Sequence, residues 1–184
     1  GHLVYARMMH KFLHELWIVD TEEPFKKVFH QWMIHWADWR KMSKRYNNGI
    51  QPSELLKEYS VDEVRVGIMF MWPLDQQKNW DIAWFTWVRR FFFNINSAVS
   101  IIGNNSSSEV INSKTSELIK KCTDNYELLK YNVIISDLMQ FINEAKKNPN
   151  DFSKKDIEAF LILLHPLAPE TAQQTWKSLW NNTF

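Results

Sequence analysis

Cysteine, glycine and proline are all scarce here: of 184 residues one is Cys, four are Gly and six are Pro. The lone Cys122 has no partner for an intramolecular disulfide, which fits a reducing compartment. So few glycines and prolines leave too few turn signals for a β-sandwich or barrel and direct the reading to long helices. No apolar run reaches the roughly 18 residues a membrane-spanning helix needs, so the chain reads as soluble, with no membrane partner. Net charge is nearly absent as well. The 22 Lys and Arg against 21 Asp and Glu leave +1, so any nucleic-acid contact has to come from a local basic face. Large aromatics are plentiful instead: ten Trp and twelve Phe predict an aromatic-rich core. The length allows one well-buried core with room for a second small substructure. The chain opens on Gly1 in a helical pattern with no Met start or signal sequence, and reads as cut from something longer.

Apolar residues at helical spacing predict a largely buried helix from Leu3 to Trp17. Asp20-Thr21-Glu22-Glu23-Pro24 breaks it, and Phe25 to about Trp36 reads as a second, shorter helix. From Ala37 to Gln51 the periodicity stops in a polar, basic loop, where Asn47, Asn48 and Gly49 can take left-handed backbone angles. Pro52 suits the start of a helix to about Tyr59, and Ser60 with Glu63 forms a capping box for a helix through Met71, ended by Pro73. A long aromatic helix over Asp81 to Ile102 stops at Gly103-Asn104-Asn105-Ser106-Ser107-Ser108, a linker-like turn. A second capping box, Ser106 with Glu109, starts a helix to about Lys130; then come Asn132 to Lys147, Ser153 to about His165, and Pro169 to Trp180. The expected fold is all-α: an antiparallel bundle preceded by two helices and a loop.

Within that loop, Lys41-Met42-Ser43-Lys44-Arg45 places two lysines around a small hydroxyl residue. Such a group can neutralise the charge that develops as pyrophosphate leaves ATP; a solvated basic turn would look the same. The string resembles the KMSKS signature of class I aminoacyl-tRNA synthetases, and Asn48-Gly49-Ile50 with Pro52 resembles the residues just after that signature in the leucyl enzymes. In the same order, His2-Leu3-Val4-Tyr5-Ala6-Arg7 is similar to the leucine-pocket helix, and Glu23-Pro24-Phe25 to the segment after it. Tyr59 through Arg65 to Phe70 resembles the helix after the loop, and His165-Pro166-Leu167-Ala168-Pro169 with Trp176 the end of the anticodon-binding bundle. The likeness is closest to the bacterial or mitochondrial type and weakest from about Ser106 to Asn150.

The resemblance implies that Lys41, Ser43 and Lys44 contact ATP and that His2 and Tyr5 line a leucine pocket. It divides the chain into a catalytic-core remnant (1–51), connecting helices (52–80) and an anticodon-binding-like bundle (81–184). There are departures. Arg45 replaces the signature's final Ser, only a few residues join His30-Gln31-Trp32-Met33-Ile34 to Lys41 where the family has more, and Gln51 is a poor helix cap. The His-Ile-Gly-His motif, the nucleotide-binding strands, and the editing and C-terminal domains lie outside these residues, so ATP is expected to be used only with the missing half. Two readings stay open. One is part of a truncated or split leucine–tRNA ligase; the other is a non-catalytic paralogue serving as an RNA- or protein-binding component, for example of a mitochondrial ribosome. The expected partners are tRNA or rRNA and the rest of a synthetase or a larger ribonucleoprotein; the expected location is the mitochondrial matrix, otherwise the cytoplasm.

His10 and His14 stand at i, i+4, but with no Cys pair and no His-Glu-x-x-His arrangement no metal site is expected. The cluster Trp80, Trp84, Phe85, Trp87, Phe91, Phe92 and Phe93 could stack bases, but its density at helical spacing is expected to be core, and an excess beyond what a four-helix core holds would mark a protein interface. Arg89, Arg90, Lys114, Lys120, Lys121 and Lys130 are the candidate phosphate contacts. Glu117, Asp124 and Glu127 interleave with them, as they would in a solvated salt-bridge face.

Overall fold

The computed structural model describes the chain except Trp32, Ala37, Trp72, Asp75, Asn104, Asn105 and residues 181–184; for Lys44 and Trp180 it describes the backbone alone. The expectations for Trp32 and for Asn104-Asn105 therefore lie outside the described residues. Two compact units emerge, residues 1–31 and 32–184.

The first unit holds α1 (His2–Glu15). The helix closes in a Schellman arrangement: Trp17 N–H bonds His14 O and Ile18 N–H bonds Leu13 O, both at 3.0 Å. Trp17 takes φ 60°, a conformation for which Gly is the usual choice. The following turn folds back along one stripe of α1. Arg7 grips Glu23 with two nitrogens at 2.8 and 2.5 Å, and His10 Nε2 lies 2.7 Å from Thr21 O. The Arg7 hydrogen bonds hold the Glu23 carboxyl down to about 2. Two expectations fail in this region. α1 is not a buried helix, because it buries none of its residues. The helix expected from Phe25 to Trp36 is absent: its described residues up to Met33 have no regular structure, and Ile34–His35 form strand β1. Phe25, Val28, Phe29 and Met33 all remain exposed, so these four bury too little apolar surface to offset the cost of nucleating a short helix.

The second unit is helical, apart from one parallel pairing of β1 with β2 (Lys78–Asn79), Ile34 opposite Lys78. α2 (Pro52–Leu55) is a single turn, shorter than expected, and its N-cap Gln51 makes no side-chain capping bond. α3 (Val61–Phe70) carries the expected capping box: Ser60 Oγ accepts from Glu63 N, and Ser60 N donates to Glu63 Oε2 at 2.7 Å. Then come α4 (Ala83–Ile101), α5 (Glu109–Glu127), α6 (Tyr131–Lys147), α7 (Lys154–Leu164) and α8 (Pro169–Trp180). α6 is central, packing on α3, α4 and α5, while α7 joins α5 to α8. Phe85, Val88, Phe91, Phe92, Ile95 and Ala98 bury one face of α4, and Ile134, Ile135, Leu138, Phe141, Ile142 and Ala145 one face of α6. These are the i, i+3, i+4 stripes of amphipathic helices, and the all-α bundle is as expected.

The cap of α5 differs from its expectation. Ser108, not Ser106, is the N-cap, its Oγ accepting from Ile111 N at 3.3 Å. The preceding Ser107 is drawn inward. Its Oγ donates to the carboxylate of buried Asp156, which also receives Thr115 Oγ1 at 2.7 Å and Ser153 N at 2.8 Å. Buried carboxylates demand such donors, and this one sets the register of the turn.

α3 ties the loop region to the far end of the bundle. Buried Asp62 accepts from Thr171 N at 2.6 Å, satisfying an otherwise orphaned donor in the first turn of α8. Arg65 donates to Leu167 O and Pro166 O at 3.2 and 3.1 Å. The turn between α7 and α8 is thus held from both polarities by one helix.

Candidate functional site

The basic loop begins as a tight turn. Trp36 N–H bonds Arg40 O at 2.8 Å, Trp39 takes φ 64°, and Lys41 bridges back to His35 in antiparallel fashion. Lys44–Tyr46 then form one 3₁₀ turn, with Tyr46 N–H on Ser43 O. Asn48 closes the structure: its Nδ2 donates to Lys41 O at 3.3 Å while its Oδ1 accepts from Ser43 N at 2.8 Å. One side-chain amide therefore spans the segment from Lys41 to Ser43, substituting for backbone pairing that this loop cannot make. Of Asn47, Asn48 and Gly49, all able to take left-handed angles, one does so. Only Asn47 is left-handed, at φ 48°, and Asn48 is a latch. At the loop's root Ile50 packs on the cluster of Leu55, Val64, Met71 and Phe85.

Lys41 is exposed at this latch, and Lys44 opens the 3₁₀ turn. Between them Ser43 Oγ is shielded from solvent and has no hydrogen-bond partner among the described residues. A buried hydroxyl without a partner is rare, and it fits a group that receives its partner with a ligand. The guanidinium of Arg45 lies 5.9 Å over the Tyr46 ring. His2 and Tyr5 both stand exposed on α1, in the other unit. No group of three or more His, Cys, Asp or Glu capable of holding a metal occurs among the described residues.

The candidate phosphate contacts divide sharply by their partners. Arg89 is engaged inside the fold: it lies 4.4 Å over the Tyr59 ring, donates to Glu58 O and approaches Glu63 Oε1 at 3.4 Å. Lys114 pairs with Glu144 of α6, and Lys121 with Glu117 at 2.7 Å. The hydrogen bond and charge of each partner raise Lys121 and lower Glu117 from their ordinary values. Arg90, Lys120 and Lys130 are exposed and have no ion-pair or hydrogen-bond partner for their side chains among the described residues.

Arg90 does not stand alone. It lines a groove of about 560 Å³ between α4 and α6 together with Trp87, Asn94, Asn143, Lys146 and Lys147. Lys146 Nζ bonds Asn94 Oδ1 at 2.9 Å and lies 5.2 Å from the Phe93 ring centre, whereas exposed Lys147 has no partner among the described residues. Asn94 Nδ2 in turn donates to Asn143 Oδ1 at 2.8 Å. Among the described residues no carboxylate lines this groove. Sequence reading missed Lys146 and Lys147. They sit in the last turn of α6, where cations are ordinary macrodipole partners, and the signal that marks them out is their facing Arg90 across the helix pair. Of the aromatic run, Phe85, Phe91 and Phe92 are buried as expected, but Trp87 and Phe93 are 60% and 64% exposed.

Two family profiles match the chain: "tRNA synthetases class I (I, L, M and V)" over residues 9–81 and "Anticodon-binding domain of tRNA ligase" over residues 108–184. Leucine–tRNA ligase of Chlorobium phaeobacteroides (strain DSM 266 / SMG 266 / 2430) is 35% identical over 191 residues, covering 97% of this chain and 23% of that protein. The enzyme of Chlorobaculum tepidum is 36% identical over 185 residues, with the same coverage. Among solved structures, Agrobacterium radiobacter K84 agnB2 LeuRS, in a ternary complex with tRNA and LeuAMS, superposes with a TM-score of 0.80 at 25% identity, over 99% of this chain and 26% of that one. The chain thus spans about a quarter of the length of the relatives it matches.

Proposed function

This chain belongs to the leucine–tRNA ligase family of class I tRNA synthetases, and from that premise we propose that it is a tRNA-binding part of such an enzyme, incompetent to activate leucine alone. The observation that carries the RNA reading is the groove, lined by no carboxylate among the described residues, in which Arg90 and Lys147, both without partners among those residues, face each other on the bundle that includes the matched anticodon-binding segment. Cations already paired to carboxylates gain little from a phosphate, because the exchange breaks one ion pair to make another. Unpaired ones release counterions from the nucleic acid, which is the main source of affinity for phosphate backbones. Lys120 and Lys130 extend the same chemistry along the bundle, whereas Arg89, Lys114 and Lys121 are already paired with carboxylates of this chain.

At the loop, Lys41, Ser43 and Lys44 are the ATP contacts of the complete enzyme, and His2 and Tyr5 belong to its leucine pocket. The unpartnered Ser43 hydroxyl supports that assignment. Charge stabilisation of departing pyrophosphate requires a second wall around the same triphosphate, so the loop by itself does not catalyse. Arg45, turned onto Tyr46 where a small hydroxyl is usual, favours a second reading: a non-catalytic paralogue in a larger ribonucleoprotein, such as a mitochondrial ribosome. Co-sedimentation of the native protein with ribosomal particles supports that second reading, and a free tRNA complex excludes it.

The RNA reading is tested by titrating tRNA against the chain across a salt series. Arg90→Glu with Lys147→Glu should weaken binding at least tenfold at low salt and flatten the slope of log K against log salt by about 2, roughly one per lost phosphate contact. Unchanged affinity and slope remove the RNA from this face.

A further inference from the structure

A surface that only positions an RNA backbone needs cations; the α4–α6 groove offers something more. Trp87, Arg90 and Asn94 form one stripe of α4 at i, i+3, i+7 and line the groove together. Trp87 is a large apolar ring left 60% exposed at its wall, although the same helix buries Phe85, Val88, Phe91 and Phe92. Stacking on nucleobases uses such a ring, since every base has a π-face and needs no particular edge pattern. Beside it, Arg90 and Lys147 supply charge with no competing carboxylate among the described lining residues. The floor is polar and preorganised: Lys146 fixes the Asn94 carbonyl oxygen and Asn94 fixes the Asn143 carbonyl oxygen, which leaves the Asn143 amide nitrogen free to donate among the described residues. The groove, at about 560 Å³, has the dimensions of a small-molecule cleft.

We propose that this groove takes a single unpaired nucleotide of the bound RNA, its base stacked on Trp87 and its phosphate held by Arg90 and Lys147. The assignment rests on the RNA-binding reading above and narrows it. Duplex RNA keeps its bases stacked inside the helix, and only loops, bulges and ends present one to a side chain. The groove therefore distinguishes unpaired from paired RNA, whereas the flanking cations do not.

The test uses the full chain with two fluorescein-labelled RNAs of one sequence, a single-stranded 12-mer and its blunt duplex. Trp87→Ala should lower single-strand affinity about tenfold, the usual scale for losing one stacked base, and leave duplex affinity within about twofold. Trp87→Phe should restore most of the loss, because a smaller ring still stacks. Trp17→Ala, at the 92% exposed tryptophan of the other unit, should change neither. If Trp87→Ala leaves single-strand affinity unchanged while both RNAs still bind, the stacking assignment falls, the broader RNA reading stands, and Trp87 is left to a protein partner. If the unaltered chain binds neither RNA, both readings fall together.

Discussion

Asp156 is a carboxylate almost wholly removed from water, at 2% exposure, and its neighbours determine what that costs. Burial alone raises its carboxyl. The hydrogen bonds from Ser107, Ser153 and Thr115 together outweigh burial and hold it below its ordinary 3.8. A carboxyl depressed in the folded state stabilises the fold fully above its unfolded value and loses that contribution as pH falls through the folded one. The expected outcome is a urea midpoint for the native chain that falls steeply below about pH 4, with Asp156→Asn showing a shallower acid slope. At pH 7, Asp156→Ala should cost about 3 kcal/mol, since four donors, the hydroxyls of Ser107, Thr115 and Ser153 and the Ser153 N–H, lose a charged acceptor at once. Equal acid slopes in the native chain and Asp156→Asn would count against this account. Cys122 is the opposite case: burial, with Asp137 adding to it, pushes its thiol up to about 12 and keeps it protonated and inert.

Among the elements, the crossing of α3 with α4 depends on a missing side chain. A Cβ at Gly67 would sit 2.7 Å from Cε1 of Phe85, a fully buried ring held by Tyr59 and Trp80 at centroid distances of 5.0 and 5.6 Å. Alanine favours a helix interior by about 1 kcal/mol over glycine, but overpacking a filled core costs about 1–3 kcal/mol. Gly67→Ala should therefore lower the thermal midpoint by several degrees; a rise would show that the ring yields freely. The helices of the bundle were legible because each carries its own apolar stripe, as α4 and α6 do, and its own punctuation, such as the Ser60–Glu63 box. The helix expected over Phe25–Trp36 was not, because it had apolar residues without a surface to receive them. Ser108 is the cap in place of Ser106 while the intervening Ser107 bonds Asp156 of α7, a contact that no local pattern contains.

Across the whole molecule the two units contrast in what they bury. The second closes a continuous core from Val66 to Ala172, while α1 leaves Val4, Tyr5, Met8, Met9 and Phe12 exposed. On the proposal made above, those residues and the loop at Lys41–Lys44 are where a complete synthetase would supply partners. The pure chain should accordingly give no leucine-dependent ATP–pyrophosphate exchange, and exchange should appear on adding a polypeptide that carries the remaining catalytic wall. Exchange by the chain unaided would overturn the proposal that it is incomplete as a catalyst.

The sequence by itself determined the helical class, the succession of helices from Ser60 onward and the motif of the loop, because periodicity, capping and motif spacing are local properties of the chain. Only the tertiary structure decided which cations are free. Arg89 and Arg90 are neighbours in the chain, yet one is spent on Tyr59 and Glu63 and the other faces Lys147 across a groove. A charge's availability depends on which oppositely charged group reaches it through space, and that distance is set by helix packing, not by position in the sequence.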